Sequence, residues 1–310
     1  MTNEEEKQLD QILTTNPFLN ELGKWADDLS SFAKGEKELQ DLDFVLSSDK
    51  ANFSNYQKNI ARQTPKWDSY LHPEVLPQPF IGDPRAPVWY LLLNPGYSFP
   101  DRYDHLGVCS CCENKLFSKE KSGKSIFDHG RNCNEALTKR QSFLLNQLQL
   151  KQNMPFYILD DSFNTLPNNK NYKKKGGYRW WRTVLFGANQ LKGFLLPECG
   201  IHFDALSVGE KLFVLECCPY HSVNFDAKVL WDGNAYMVFW TNLISWAIKA
   251  DKKFIVRSER VFQLIQKRGL AIDDTNHVRF ASERNVALTI KNLKQNDVLN
   301  DICRLFRSDK

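Results

Sequence analysis

One segment constrains the fold of this chain more than any other, the uninterrupted apolar run VWYLLL at 88–93. A strand with one solvated face alternates apolar and polar side chains, whereas a strand covered on both faces is apolar throughout. The run ends abruptly at Asn94-Pro95-Gly96. It therefore predicts a central strand of a mostly parallel sheet, followed at its carboxyl end by a polar loop.

Other short apolar segments have the length and composition of strands. They lie at 212–218, 253–258 and 277–282, with helix-like segments at 179–191, 234–250 and 260–268. Strands that alternate with helices favour a parallel sheet between helical layers. We therefore predict an α/β fold, a three-layer α/β/α sandwich with a mostly parallel central sheet, plus an N-terminal helical layer.

The chain divides into two parts at a stretch rich in proline. Residues 3–62 repeat apolar side chains at intervals of three and four, which is typical of helices that pack on a core. Residues 64–87 are predicted to form an irregular connector. We expect an N-terminal helical region at 1–63 that packs on the core, and an α/β domain at 64–310 with an insertion at about 101–178.

The composition excludes some classes of protein. The net charge of +4 is too small to indicate a nucleic-acid binder by itself. The acidic start, MTNEEEKQLD, is unlike a secretory signal, and no apolar run near it is long enough to span a membrane. The eight cysteines lack the spacing of a secreted disulfide scaffold. We expect a cytoplasmic protein with free thiols and no membrane contact.

Three of the predicted strands end in unusual polar loops. These are LLLNPGYS at 91–98, VLECCPYHS at 214–222 and RFASERNVALTIKNL at 279–293. In a parallel sheet such loops converge at the carboxyl edge, where ligands bind. Asn-Pro-Gly alone is also an ordinary turn, in which Pro fixes one dihedral angle and Gly supplies a positive one. The three loops together predict one active site, with the Asn94 loop as its floor.

Over roughly residues 85–300 the order of these loops resembles the uracil-DNA glycosylase superfamily. In that family a first loop of the Asn-Pro-Gly kind positions the hydrolytic water, a second strand end reads the base, and a third loop enters the minor groove. The resemblance implies the water-positioning role for Asn94, with Pro95 and Gly96 shaping its loop.

The resemblance also implies a DNA-binding role for the third loop. Ser282, Arg284 and Asn285 occupy the matching positions, although the chain lacks the His-Pro-Ser-Pro or Asn-Pro-Ser pattern of better-known branches. Cleavage of an N-glycosidic bond needs a placed water and donors aimed at the departing base. An Asn amide can orient such a water without acting as a strong base.

A base in a duplex must be flipped out before this bond can be cut, and it is then stacked on an aromatic ring. The rings near the predicted loops are Tyr97, Phe99 and Tyr220, of which Tyr97 is the first choice. His221 is a candidate catalytic donor to the leaving base or to a phosphate, although a lone histidine is more often structural.

The residue that faces the base is predicted to be Glu216, at the end of the second strand. An ionised carboxylate only accepts hydrogen bonds. It would face O4 of uracil lone pair to lone pair, whereas it could accept a hydrogen bond from N4 of cytosine. This favours a modified cytosine of phage DNA, hence antiviral defence, over repair of a damaged base such as uracil. The alternative is that Glu216 pairs with a nearby Arg and never meets the base.

Two further stretches carry candidate residues. The stretch KNYKKKGGYRWWR at 170–182 combines basic side chains with aromatic rings. Its basic residues Lys173, Lys174, Lys175 and Arg179 could therefore contact phosphates. A solvated loop that leads into a partly buried helix explains the same stretch equally well.

The second stretch lies in the insertion, where a set of four residues could hold zinc. The set consists of Cys109, Cys112, His129 and Cys133. Their spacing only approximates a known site, so reduced cysteines are favoured and no cofactor is required. The predicted function is a DNA glycosylase with DNA as its partner and no obligate protein partner evident. The alternatives are a catalytically silent nucleic-acid-binding protein of the same fold and a nucleoside or nucleotide hydrolase.

Overall fold

The structure is a computed structural model of the whole chain, and it describes residues 1–62, 70–96, 144–159, 176–187, 192–222, 233–282 and 287–307. Within these ranges, no helix is both long and apolar enough to cross a membrane. The helices are α1 (Asn3–Leu13), α2 (Leu22–Lys34), α3 (Lys50–Arg62), α4 (Gly176–Phe186), α5 (Leu195–Glu198), α6 (Ala205–Lys211), α7 (Ala235–Lys249), α8 (Glu259–Lys267) and α9 (Asp297–Arg307). Short 3₁₀ turns lie at Pro17–Asn20, Leu39–Asp41, Tyr157–Leu159 and Ile290–Asn292.

The described strands form one sheet in the order β1-β3-β2-β4-β5. They are β1 (Phe80–Ile81), β2 (Val88–Leu92), β3 (Leu212–Glu216), β4 (Lys253–Val256) and β5 (His277–Arg279). All neighbouring pairs are parallel except β1 with β3, which is antiparallel. The predicted α/β fold with a mostly parallel sheet is therefore confirmed, and the apolar run at 88–93 supplies its central strand.

The proline-rich connector contains a strand that the sequence did not predict. β1 is two residues long, pairs at the edge of the sheet with β3, and follows Pro79 directly. Proline cannot donate to a ladder, so prolines are tolerated next to a short edge strand but not inside a central one. The high proline content concealed the strand for this reason.

Helices cover both faces of the sheet, as expected for a sandwich. On one face Trp89 of β2 packs against Trp246 of α7, with ring centroids 6.0 Å apart. On the other face Tyr90 packs edge-on against Trp181 of α4, at 6.4 Å. Successive residues of a strand point to opposite faces, so the odd-numbered side chains of β2 meet α7 and the even-numbered ones meet α4.

The N-terminal helices belong to the same hydrophobic core as the sheet. Phe18 packs against Phe80 of β1 and Tyr236 of α7, with centroids 6.0 and 5.7 Å apart. Arg85 forms ion pairs with Glu6 and Asp10 of α1. These apolar and charged contacts fix the N-terminal region on the face of the sheet that α7 also covers.

Candidate active site

The loops after β2 and β3 run side by side at the carboxyl edge of the sheet. The backbone nitrogens of Cys217 and Cys218 donate to the carbonyl oxygens of Leu92 and Leu93, at 2.9 and 2.8 Å. These bonds continue the pairing of the two strands past their ends and bring Asn94 beside the second loop. Two of the three predicted loops therefore meet, and the third is described as far as Ser282, which is exposed.

Both loops hold the side chain of Asn94. Its Nδ2 donates to the carbonyl oxygen of Pro95 at 2.8 Å and to Ser222 Oγ at 3.0 Å. A carbonyl oxygen only accepts, so the amide nitrogen must face Pro95 and the amide oxygen must face away from it. Within the described ranges no residue donates to that oxygen. Asn94 Oδ1 is therefore an acceptor of fixed direction, which is what orienting a water molecule requires.

Gly96 does not serve the turn in the way that its residue type suggests. Its φ lies outside the left-handed region, and no described atom lies within 4 Å of the position that a Cβ would occupy. An alanine could adopt this backbone without strain, so the conformation of the turn does not require glycine. The open space beside Gly96 instead permits the close approach of a ligand to the backbone.

We expect Gly96→Ala to preserve the fold but to reduce the release of bases from DNA by about 10-fold, because the added methyl group would occupy the space of an approaching ligand. Thermal unfolding and base release measured on the same preparation test this. Gly23→Ala is the matched control, since a Cβ there also meets open space but lies within α2. Full activity in Gly96→Ala would show that the glycine is only a turn residue.

His221 connects the two loops through one of its ring nitrogens, and its predicted role as a donor to the base stays a prediction. Its side chain is 1% exposed, and its Nδ1 lies 2.8 Å from the carbonyl oxygen of Gly96. Burial lowers the pKa of His221 to about 4, so the imidazole is neutral at physiological pH. A neutral Nδ1–H that donates to the Gly96 carbonyl oxygen links the second loop to the first.

Tyr220 cannot stack on a base, which corrects a prediction. Its hydroxyl donates to Asp49 Oδ2 at 2.7 Å and accepts from the backbone nitrogen of Leu46 at 3.2 Å. Its ring meets Phe53 of α3 edge-on, with centroids 5.4 Å apart. Both the polar end and the ring of Tyr220 are thus committed to the N-terminal helices, and the side chain is 1% exposed.

Glu216 occupies the predicted position at the end of β3. It pairs in register with Leu92, and its backbone carbonyl accepts from the Tyr236 hydroxyl on α7. The side chain is 2% exposed, and Oε2 has no hydrogen-bond partner among the described residues. The alternative role for this residue, an ion pair with an Arg, is not present in the described part of the chain.

The environment of Glu216 changes the chemistry assumed for it. Burial raises the pKa of this carboxyl well above its ordinary value, because the ionised form would lose its hydration without gaining a counter-charge. The protonated group is a donor as well as an acceptor. Burial therefore disfavours the ionised Glu216 on which the preference for cytosine depends, and that preference stays a prediction.

One side chain that the sequence analysis missed, Tyr90, lies on the same face of the sheet as Glu216. Tyr90 is fully buried, and its hydroxyl has no hydrogen-bond partner among the described residues. The Tyr90 ring stacks on the Phe280 ring, with centroids 6.2 Å apart. The Arg257 guanidinium lies 4.8 Å from the centroid of the Phe280 ring. Tyr90 looked like an ordinary core residue within an apolar run. Strand alternation, applied to Tyr90 and Glu216 together, was the signal that could have identified it.

Several predicted residues lie outside the described residues. These are Tyr97, Phe99, Arg284, Asn285, Lys173, Lys174 and Lys175, the four members of the candidate zinc set, and the side chain of Arg179. Their predicted roles stay predictions. In the ranges that the structure does cover, no cluster of three or more His, Cys, Asp or Glu side chains could hold a metal.

Comparison of this chain with protein-family models, with curated proteins and with solved structures gives no match.

Proposed function

We propose that this protein is an N-glycosyl hydrolase of the DNA glycosylase kind, which cuts the bond between the sugar and a base flipped out of DNA. One observation carries the proposal, the fixed direction of Asn94 Oδ1 at the carboxyl edge of the sheet. That edge is where ligands bind in parallel α/β folds. The resemblance of the loop order to the uracil-DNA glycosylase superfamily supports the same chemistry.

The chemistry of the described residues suits a largely dissociative cleavage. Departure of the base leaves positive charge on the sugar, so a water that is only oriented by Asn94 is nucleophilic enough to attack it. No strong base is needed in such a step, and His221, which is neutral and bonded to Gly96, does not have to act as one. The leaving base carries negative charge that a donor in its pocket can stabilise, and it takes up the proton that the attacking water releases.

The choice of base follows less directly. The sequence favours a modified cytosine of phage DNA only if Glu216 is ionised and repels uracil. With a protonated Glu216 the carboxyl can serve either base. Antiviral excision and repair of a damaged base such as uracil therefore remain two branches of the proposal, both compatible with a cytoplasmic enzyme whose described cysteines are free thiols.

A direct screen tests the proposal. Single-stranded and duplex DNA that contain uracil, cytosine or modified cytosine are incubated with the protein, and released bases are identified by mass spectrometry. Alkaline cleavage reports the abasic sites that remain. We expect release of at least one base with an equal yield of abasic sites. Binding of DNA without any release would instead identify a catalytically silent nucleic-acid-binding protein, and cleavage of free nucleosides alone would identify a nucleoside hydrolase.

The basic stretch that contains Lys173, Lys174 and Lys175 carries a separate prediction. Replacement of all three by Gln should weaken DNA binding similarly for every DNA sequence. It should also reduce the slope of log affinity against log salt by about 1 for each phosphate that the variant no longer neutralises. Titrations at several salt concentrations measure both quantities. An unchanged affinity and slope would mean that the stretch does not touch DNA.

A further inference from the structure

We propose that the Tyr90 hydroxyl and the Glu216 carboxyl together recognise the ligand, and that they select a neutral heterocycle on whose edge a hydrogen-bond donor and an acceptor lie side by side. The inference rests on the proposed function, because it names the class of base that the same site would take. It adds Tyr90 as a specificity-determining residue.

The register of the sheet places the two groups together. Tyr90 pairs with Val214 and Leu92 pairs with Glu216, in parallel. Tyr90 and Glu216 are thus diagonal neighbours on the same face of adjacent strands, the face that α4 covers. The electrostatic influence of Glu216 on the phenol of Tyr90 is consistent with this proximity.

Chain order also places the pair close to the Asn94 loop, because β2 ends at Leu92, the register partner of Glu216. Glu216 is paired in register with Leu92, and Asn94 comes two residues after Leu92 in the chain. Two residues advance a strand by about 6–7 Å. That span is comparable to the length of one pyrimidine ring together with its glycosidic bond. A base whose edge meets the Tyr90–Glu216 pair would therefore place its bond to the sugar near the water that Asn94 orients.

The burial of two such groups without partners is costly. Both side chains are at most 2% exposed, and neither the Tyr90 hydroxyl nor Glu216 Oε2 is bonded to a described residue. A buried polar group without a hydrogen bond destabilises the folded protein relative to a bonded one. Phe and Leu would fill the same positions in an apolar core at no such cost. A ligand that forms hydrogen bonds with the Tyr90 hydroxyl and Glu216 Oε2 would remove this cost and would explain why polar residues occupy these positions.

The chemistry of the pair determines which edge it accepts. Burial raises the pKa of both groups and so favours their protonated forms. A protonated carboxyl offers one donor and one acceptor, and a phenol can serve as either. The hydrogen-bonding groups of Tyr90 and Glu216 match the N3–H and C4=O of a uracil-like edge, or the N3 and N4–H₂ of a cytosine-like edge. It offers no negative charge to a cationic, alkylated base.

Binding of free bases tests the inference on the full-length protein. Uracil, cytosine and 3-methyluracil, in which a methyl group replaces the N3 donor, are titrated by calorimetry at pH 7. We expect uracil or cytosine to bind and 3-methyluracil not to bind. Tyr90→Phe should weaken binding about 5- to 10-fold, the loss typical of one neutral hydrogen bond. Glu216→Gln, a neutral group that also has a donor and an acceptor, should bind within about 3-fold of the wild type.

Tyr236→Phe is the matched control, because it also removes a buried hydroxyl near Glu216 but does so from the α7 face of the sheet. It should not alter affinity, and thermal unfolding confirms that each variant is folded. Three results would overturn the inference: no binding of any base, unchanged affinity in Tyr90→Phe, or loss of binding in Glu216→Gln, which would show that an ionised carboxylate is required.

The two proposals can fail separately. Release of a base from DNA with no effect of Tyr90→Phe on affinity or release would retain the glycosylase and discard the pair as the group that recognises the base. Binding of bases that depends on the pair, without release from any DNA, would discard the glycosylase and retain a heterocycle-binding site.

Discussion

Replacement of Asn94 by alanine is expected to leave a folded protein whose release of bases from DNA falls by about 100-fold or more, the usual effect of removing one positioning group from a reaction. The variant lacks the amide oxygen that orients the water, while His221 and the backbone bonds between the two loops still hold the site together. Single-turnover rates separate this loss from a change in DNA affinity, which should stay close to that of the wild type.

Two variants sharpen this experiment. Ser222→Ala removes the hydroxyl acceptor of the Asn94 amide nitrogen and leaves the two backbone carbonyl acceptors, of Pro95 and of residue 222 itself. Its rate should therefore fall by about 10-fold, less than for Asn94→Ala. Asn276→Ala is the matched control, because its amide also donates to a backbone carbonyl, that of Ala271, but it precedes β5 at the opposite edge of the sheet. Normal base release by Asn94→Ala would rule out the water-positioning role.

Glu216→Gln is expected to stabilise the protein, by an amount that increases with pH. In the folded state the pKa of Glu216 lies well above its unfolded value of 4.5. Above pH 4.5 the unfolded chain releases this proton and the folded protein retains it, so the wild type loses stability as pH rises towards the folded pKa. The free energy of unfolding should therefore fall by about 1.4 kcal/mol per pH unit in this window relative to Glu216→Gln, which does not titrate.

Denaturant titrations at pH 4 and pH 7 measure the effect. The two proteins should be similar at pH 4, and the variant should be more stable by at least about 1 kcal/mol at pH 7. Burial raises the pKa of the neighbouring Tyr90, Tyr236, Cys217 and Cys218, which favours their neutral forms. The nearby cations are Arg257, which acts on Tyr90, and Arg268, which acts on Cys217. Glu36→Gln, an exposed substitution of the same kind, should change little at either pH. Equal stability of Glu216→Gln and wild type at both values would mean that Glu216 is ionised in the folded protein.

The local pattern of apolar residues in the sequence was sufficient to predict the two strands that carry the candidate site. The apolar run at 88–93 corresponds to Val88–Leu92, and the strand predicted at 212–218 ends at Glu216. Both follow from the requirement that a strand covered on two faces carries apolar side chains throughout. The parallel order then followed from the alternation with helices, and it was enough to bring the Asn94 loop beside the loop after β3.

The roles of individual polar residues depended on contacts that no local pattern encodes. Tyr220 looked like a free ring because it follows a strand, yet its partner Asp49 is 171 residues away in the sequence. The protonation of Glu216 depends on what covers it, which is a property of the tertiary structure. Gly96 appeared to be a turn glycine, and only its φ and its surroundings show otherwise. Long-range burial, rather than secondary structure, limited the prediction.

The hydrogen bonds of Tyr220 to Asp49 and Leu46 connect the candidate site to the N-terminal region and help to hold it in place. The next residue after Tyr220 is His221, which holds the Gly96 carbonyl, so one short piece of chain connects the helical region with the Asn94 loop. A shortened version of the protein that began at β1 would lose the anchor of that piece. The geometry around Asn94 and the folding of residues 1–62 should accordingly be lost in one cooperative transition, rather than as two separable events.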